Sequence, residues 1–101
     1  MKIRLRRWGG FTGRAGAEEY AVDVDSLPPH DASGLRALVQ AAGFFSLPAK
    51  IAKAAPQPWD FQHSLEIEDG ARTHTVQFHA DAAPVALNEL ARAVETRASR
   101  A

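Results

Sequence analysis

Apolar and polar residues alternate in several short segments of the chain. Residues 2–8 place Ile3 and Leu5 on one face and basic residues on the other, and residues 19–24 alternate in the same way. A period of two is typical of a strand with one buried face. Four glycines lie among the intervening residues 9–16. Glycine favours a flexible connection, so the pattern predicts a hairpin.

A second hairpin is predicted around Asp69 and Gly70, because residues 61–68 and 71–79 both alternate and an Asp-Gly pair favours a tight turn. If these two residues form the loop, they determine which residues of the two strands lie opposite one another. The predicted pairs are Glu68 with Ala71, Leu65 with His74, His63 with Val76, and Asp60 with His79.

Helical spacing appears twice. Apolar residues at i, i+3, i+4 and i+7, followed by Gly43 as a C-terminal cap, predict a helix over residues 32–42. Pro84 opens a second predicted helix in which Leu87, Leu90 and Val94 share a face, and we expect the tail after about residue 96 to fray. Prolines bracket residues 49–57, which we predict as a loop with room for one helical turn.

The predicted element order is ββαββα. Strand pairs with segregated helices favour an α+β fold: an antiparallel sheet of about four strands, made of two hairpins, with two helices packed on one face. No linker divides the chain, so we expect residues 1–101 to form a single domain.

Composition removes several classes of function. Twelve Lys and Arg balance twelve Asp and Glu among 101 residues, which argues against binding to nucleic acid or to an anionic membrane surface. The absence of cysteine excludes disulfides and thiol chemistry and fits the cytoplasm. The basic N-terminal segment lacks the apolar run of a signal peptide or membrane span.

Three histidines near the second hairpin raise the possibility of a zinc site. In the predicted register, His63 and His74 share the apolar face as diagonal neighbours, whereas His79 points the other way beside Asp60. One metal ion would not collect all three imidazoles. We therefore expect structural or surface histidines and no metal site.

Candidate catalytic groups are sparse. No serine lies in the Gly-x-Ser-x-Gly turn of a hydrolase nucleophile. The carboxylate pairs Asp23/Asp25 and Glu66/Glu68 lie on outward strand faces, where pairing with the basic face of the first strand explains them if the first and third predicted strands are neighbours. We expect a protein that is not an enzyme.

Phe11 is the most conspicuous side chain of the glycine-rich connection. Flanked by Gly10, Thr12 and Gly13, it either folds back onto the core or projects as an anchor for a partner pocket. The helix-end residues Phe45 and Leu47 and the proline-bracketed loop are alternative contact sites.

Several segments together resemble a known family. They are the Gly9-Gly10-Phe11 turn after a basic strand, residues 22–27, residues 38–48, residues 67–76 and the closing helix over residues 84–94. The chain resembles the emfourins, small bacterial inhibitors of thermolysin-like metalloproteases such as protealysin.

The resemblance implies a cytoplasmic, cofactor-free inhibitor, monomeric when free, that binds the protease active-site cleft without catalysis. Thermolysin-like proteases favour a bulky apolar side chain after the scissile bond, which gives Phe11 a pocket to fill. We accordingly predict a contact surface made of Gly9, Gly10, Phe11, Thr12, Gly13 and Arg14. The alternative is a noncatalytic intracellular interaction domain with a different protein partner.

Overall fold

A computed structural model describes residues 1–9, 17–55, 57 and 60–98 of the chain. It contains five strands and two α-helices. In chain order they are β1 (Lys2–Trp8), β2 (Glu18–Asp23), α1 (Pro29–Ala42), β3 (Lys50–Ile51), β4 (Gln62–Asp69), β5 (Arg72–His79) and α2 (Val85–Ala98). Single 3-10 turns follow β2, α1 and β5. The α+β class is confirmed.

The five strands form one mixed sheet in the order β2-β1-β4-β5-β3. Both predicted hairpin pairings are present: β1 is antiparallel to β2, and β4 is antiparallel to β5. Strand β1 also pairs with β4, with Leu5 opposite Leu65 and Arg4 opposite Glu66. Because β1 has a partner on each side, it lies inside the sheet rather than at its edge.

The expected four-strand antiparallel sheet is only partly correct, because the fifth strand, β3, pairs parallel to β5. Lys50 lies opposite Gln77, and Ile51 lies opposite Phe78. The Gln77 amide also donates to the Ala49 carbonyl at 2.8 Å. A two-residue strand is too short to show alternation, so the sequence pattern predicts a loop at this position.

The predicted register of the second hairpin is wrong by two residues. Asp69 pairs with Arg72, so Gly70 and Ala71 form the turn, and Gly70 takes the left-handed conformation with φ +62°. Leu65 lies opposite Val76 rather than His74. A shift of two residues leaves every side chain on its predicted face, so the face pattern does not distinguish the two registers.

The core lies between one face of the sheet and the two helices. It is built from buried side chains of alternate strand positions and of both helices, including Ile3, Leu5, Leu65, Ile67, Val76, Phe78, Leu35, Val39, Leu87, Leu90 and Val94. Phe44, in the 3-10 turn after α1, is 1% exposed, and Phe45 and Leu47 pack against the same cluster. These three residues close the core at the end of α1.

The ends of α1 follow from its sequence. Pro29 occupies the first helical position, where a missing N–H costs nothing, and Gly43 ends the helix with φ +57°. Asp25 and Ser26 do not cap this helix. They lie in the preceding 3-10 turn, where Asp23 accepts from the Asp25 amide at 3.1 Å.

The second helix, α2, extends to Ala98, and the Arg97 guanidinium joins it to Asp31 of α1 at 3.1 Å. Neither α1 nor α2, nor any other described helix, has the length and apolar character needed to cross a bilayer.

The outer face of the sheet carries charge in alternating rows. Basic residues of β1 lie between acidic residues of β2 and β4, and the ion pairs include Arg6 with Glu19 at 2.9 Å and Arg4 with Glu66 at 3.7 Å. The predicted pairing of the first strand's basic face with neighbouring carboxylates is confirmed for Glu66. It is wrong for Asp25, which lies in the 3-10 turn after β2 and pairs with the N-terminal ammonium and Arg36. Ion pairing between neighbouring strands therefore explains the positions of Glu19 and Glu66.

Candidate partner-binding surface

Four strand termini meet at one end of the sheet. Strands β1 and β5 finish there, at Trp8 and His79, and strands β2 and β4 begin there, at Glu18 and Gln62. We call this the loop end of the sheet, because the connection from β1 to β2 leaves from it. The tight turn between β4 and β5 lies at the opposite end, which we call the turn end.

The predicted contact residues belong to the loop end. Of the six, the structure describes Gly9 alone, and Gly10, Phe11, Thr12, Gly13 and Arg14 lie outside the described residues. Their role as a contact surface is therefore a prediction that the fold leaves untested. What the structure does define is the point at which the connection begins.

Gly9 fixes that starting point through a close backbone approach. Its φ is +132°, a conformation that side chains rarely adopt. A Cβ atom at this position would lie 2.3 Å from the Asp60 carbonyl oxygen and 2.7 Å from the Phe61 Cα atom. The chain therefore leaves β1 pressed against the segment that enters β4, and only glycine fits there.

Asp60 holds this neighbouring segment in place. Its amide donates to the Gln57 carbonyl at 3.0 Å, and its carboxylate accepts from the Gln57 amide. Lys53 lies 3.0 Å from the same carboxylate and 3.5 Å from that of Asp81. The Gln57 hydrogen bond, followed by the Lys53 hydrogen bond and charge, lowers the pKa of Asp60, so it stays ionised at neutral pH.

Phe61 follows directly and is 56% exposed. The sequence places it on the same face as His63 and Leu65, but burial decreases along β4 from Leu65 through half-buried His63 to Phe61. Within the described ranges, the exposed large hydrophobic side chains are Phe61 and Val85. The Arg7 guanidinium lies 5.9 Å from the Phe61 ring centroid, within cation–π range.

Arg7 belongs to a charged cluster on the helix side of the loop end. Its guanidinium contacts Glu18 at 2.9 Å and Glu95 of α2 at 3.3 Å. The Tyr20 hydroxyl donates to Glu18, which raises the pKa of Tyr20 to about 12, with burial contributing. Arg7 and Glu18 form the last pair between β1 and β2, so this ion pair closes the base of the connection.

His63 lies beside this cluster. Its ring stacks on Phe78 with centroids 5.1 Å apart, and its Nδ1 atom is buried without a hydrogen-bond partner among the described residues. Burial, followed by the positive charge of Arg7, lowers the pKa of His63 below its ordinary value of 6.5. The folded protein therefore disfavours the protonated imidazole.

The other two histidines lie apart from it. His74 pairs with Ile67, four positions from His63 along β4, or roughly 13 Å at the usual rise of a strand. Its Nε2 atom lies 2.7 Å from the Leu47 carbonyl oxygen. His79 is buried and pairs with Gln62, not with Asp60. The predicted diagonal contact between His63 and His74 is wrong, because the register differs.

Across the ranges that the structure describes, no three His, Cys, Asp or Glu side chains form a group suited to a metal ion. The expectation that this protein works without a metal or cofactor stays a prediction.

The alternative contact residues Phe45 and Leu47 lie toward the turn end. The Arg72 guanidinium lies 4.1 Å from the Phe45 ring centroid, and the edge of Phe45 meets Phe44 with centroids 5.7 Å apart. Leu47 is half-buried and accepts from His74 through its carbonyl. Both residues already have partners within the fold.

Phe61 is an exposed aromatic residue whose preceding backbone is held by hydrogen bonds, and it lies next to the start of the β1–β2 connection. Such a side chain suits contact with another protein. The comparison with known families gives a specific class: the Emfourin family model matches residues 5–95. The chain belongs to the emfourin family, the family of protealysin inhibitors. No curated protein and no solved structure matches the chain.

Replacing Gly9 with alanine should destabilise the fold by about 2 kcal/mol or more, because the new Cβ would overlap the Asp60 backbone and φ would be strained. Chemical denaturation measures the effect. Gly34→Ala is the matched control. Gly34 is an exposed helical glycine, and a Cβ atom added there would meet no neighbouring group within 4 Å, so the control should gain about 0.5–1 kcal/mol. Equal stability of Gly9→Ala and the parent protein would contradict the close approach.

His63 should make stability depend on pH. Above pH 6.5 the imidazole is neutral in both states, so its contribution is complete. Below that pH the unfolded state takes up a proton first, and the free energy of unfolding falls by up to about 1.4 kcal/mol per pH unit until the folded pKa is reached. Denaturation between pH 5 and pH 7.5 measures this slope.

His63→Phe keeps an aromatic ring against Phe78 but removes the proton, so the decline should become shallower. His30→Gln is the control. His30 is exposed in the first turn of α1, so this variant removes a histidine that lies outside the Arg7 cluster. An unchanged slope in His63→Phe would contradict the assignment.

Proposed function

We propose that this protein inhibits a thermolysin-like zinc metalloprotease by occupying the protease active-site cleft, without catalytic activity of its own. The observation that carries the proposal is the family match over residues 5–95. The proposed location is the bacterial cytoplasm, and the proposed mechanism requires no cofactor of the inhibitor's own.

The loop end supports this proposal in two respects. A protease cleft binds an extended backbone and accepts apolar side chains in its pockets. The connection from β1 to β2 begins at Gly9, held against Asp60, and ends at Glu18, held by Arg7. A loop anchored at both ends loses less conformational entropy on binding than a free peptide of the same length.

Within this loop we propose Phe11 as the anchor, with Gly9, Gly10, Thr12, Gly13 and Arg14 shaping its approach. Gly9 and Gly10 before it and Gly13 beyond Thr12 reduce the number of side chains that would obstruct a narrow cleft. A single aromatic side chain is the kind of residue that dominates binding energy in protein interfaces.

Incubation with thermolysin or protealysin, followed by cleavage of a peptide substrate, tests the proposed activity. We expect inhibition with a constant on the order of nanomolar to micromolar, and no hydrolysis by the protein alone. Unchanged cleavage rates at high micromolar concentration against several such enzymes would contradict the proposal. That result would favour an interaction domain for a different protein.

Phe11→Ala should weaken inhibition roughly thirtyfold, because truncation of an aromatic anchor costs about 2 kcal/mol. The thermal midpoint should be preserved, and Phe11→Leu, which keeps an apolar side chain, should retain part of the affinity. A preserved midpoint with unchanged inhibition would eliminate the anchor. A lowered midpoint would instead indicate that Phe11 packs into the core.

A further inference from the structure

We propose that Phe61 is a second anchor of the inhibitor, contacting the same protease beside the loop that contains Phe11. This inference rests on the proposed function and extends it to a residue on a different segment of the chain. The proposed occupant of the Phe61 surface is therefore the metalloprotease itself, and no additional partner is required.

The size of a stable protein interface requires a contact beyond the loop. A standard interface buries about 800 Å² on each partner and involves about 20–30 residues a side. The connection over residues 10–16 contributes only seven. Inhibition through this loop must therefore bring neighbouring parts of the inhibitor against the protease surface.

Gly9 identifies which neighbouring part that is. Its position against the Asp60 carbonyl and the Phe61 Cα joins the start of the loop to the segment entering β4. Phe61 thus lies within the area that a protein bound to the loop would cover. Phe61 is also 56% exposed, so more than half of its surface is available to be buried by a partner.

The surroundings of Phe61 restrict its motion before binding. The reciprocal hydrogen bonds between Gln57 and Asp60 and the Lys53 ion pair fix the backbone immediately before it. The Arg7 guanidinium lies 5.9 Å from its ring centroid. An aromatic residue that follows a backbone held in this way requires less ordering when a partner covers it, which is the property expected of an anchor.

The charges around Phe61 suit the rim of an interface. Lys53 is ion-paired with both Asp60 and Asp81, and all three line a shallow groove with Phe61 and His79. An exposed aromatic residue with ion-paired neighbours fits an apolar depression surrounded by polar groups on the partner. The aromatic side chain at the turn end, Phe45, is instead partly buried against the core.

Phe61→Ala and Phe45→Ala form a matched pair for the test, since each truncates a phenylalanine at an opposite end of the sheet. Inhibition constants against thermolysin and protealysin are compared with thermal midpoints. We expect Phe61→Ala to weaken inhibition about tenfold or more with its midpoint preserved. Folded Phe45→Ala should inhibit like the parent protein.

The outcomes separate the two proposals. Inhibition by the parent protein together with unchanged inhibition by folded Phe61→Ala overturns the second anchor alone, as does a loss confined to Phe45→Ala. A parent protein that inhibits neither enzyme overturns the proposed function and this inference with it.

If Phe61→Ala lowers the midpoint, placement of a photoreactive benzoylphenylalanine at position 61 replaces truncation as the test. We expect crosslinking of this variant to the protease, and no crosslinking from the same group at exposed position 30, in the first turn of α1. Absence of a crosslink from position 61 in an inhibited complex overturns the inference.

Discussion

Strand β1 pairs along its length with β2 on one side and with β4 on the other, and the loop end depends on these two pairings. They constrain both ends of the connection that leaves β1. At one end the missing side chain of Gly9 allows backbone contact with Asp60, and at the other an ion pair joins Arg7 to Glu18. Both interactions are made by residues that flank the connection, on either side of residues 10–16.

The two faces of the sheet lie in different environments. The inner face removes apolar side chains from water beneath the helices, and Leu5 and Leu65 are fully buried there. The outer face remains in water and carries rows of opposite charge, such as Arg4 beside Glu66. The acids and bases of this outer face thus compensate one another across neighbouring strands.

Local sequence signals account for most of the elements. Alternation predicts β1, β2, β4 and β5, and helical spacing with Gly43 predicts residues 32–42 of α1, since these patterns depend only on neighbouring residues. Strand β3 is different. Its two residues become a strand through parallel pairing with Gln77 and Phe78, and that pairing exists only after the chain has folded.

The candidate surface shows the same division. The sequence alone indicates a glycine-rich connection with one prominent aromatic, and it places Phe61 on the core-facing side of its strand. Only the tertiary structure decides that Phe61 is exposed. Alternation along a strand identifies the face that packs against the helices, but it does not indicate how far along the strand that face is covered. Likewise, the contact that makes Gly9 obligatory involves Asp60, which is distant in sequence and is brought close by the pairing of β1 with β4.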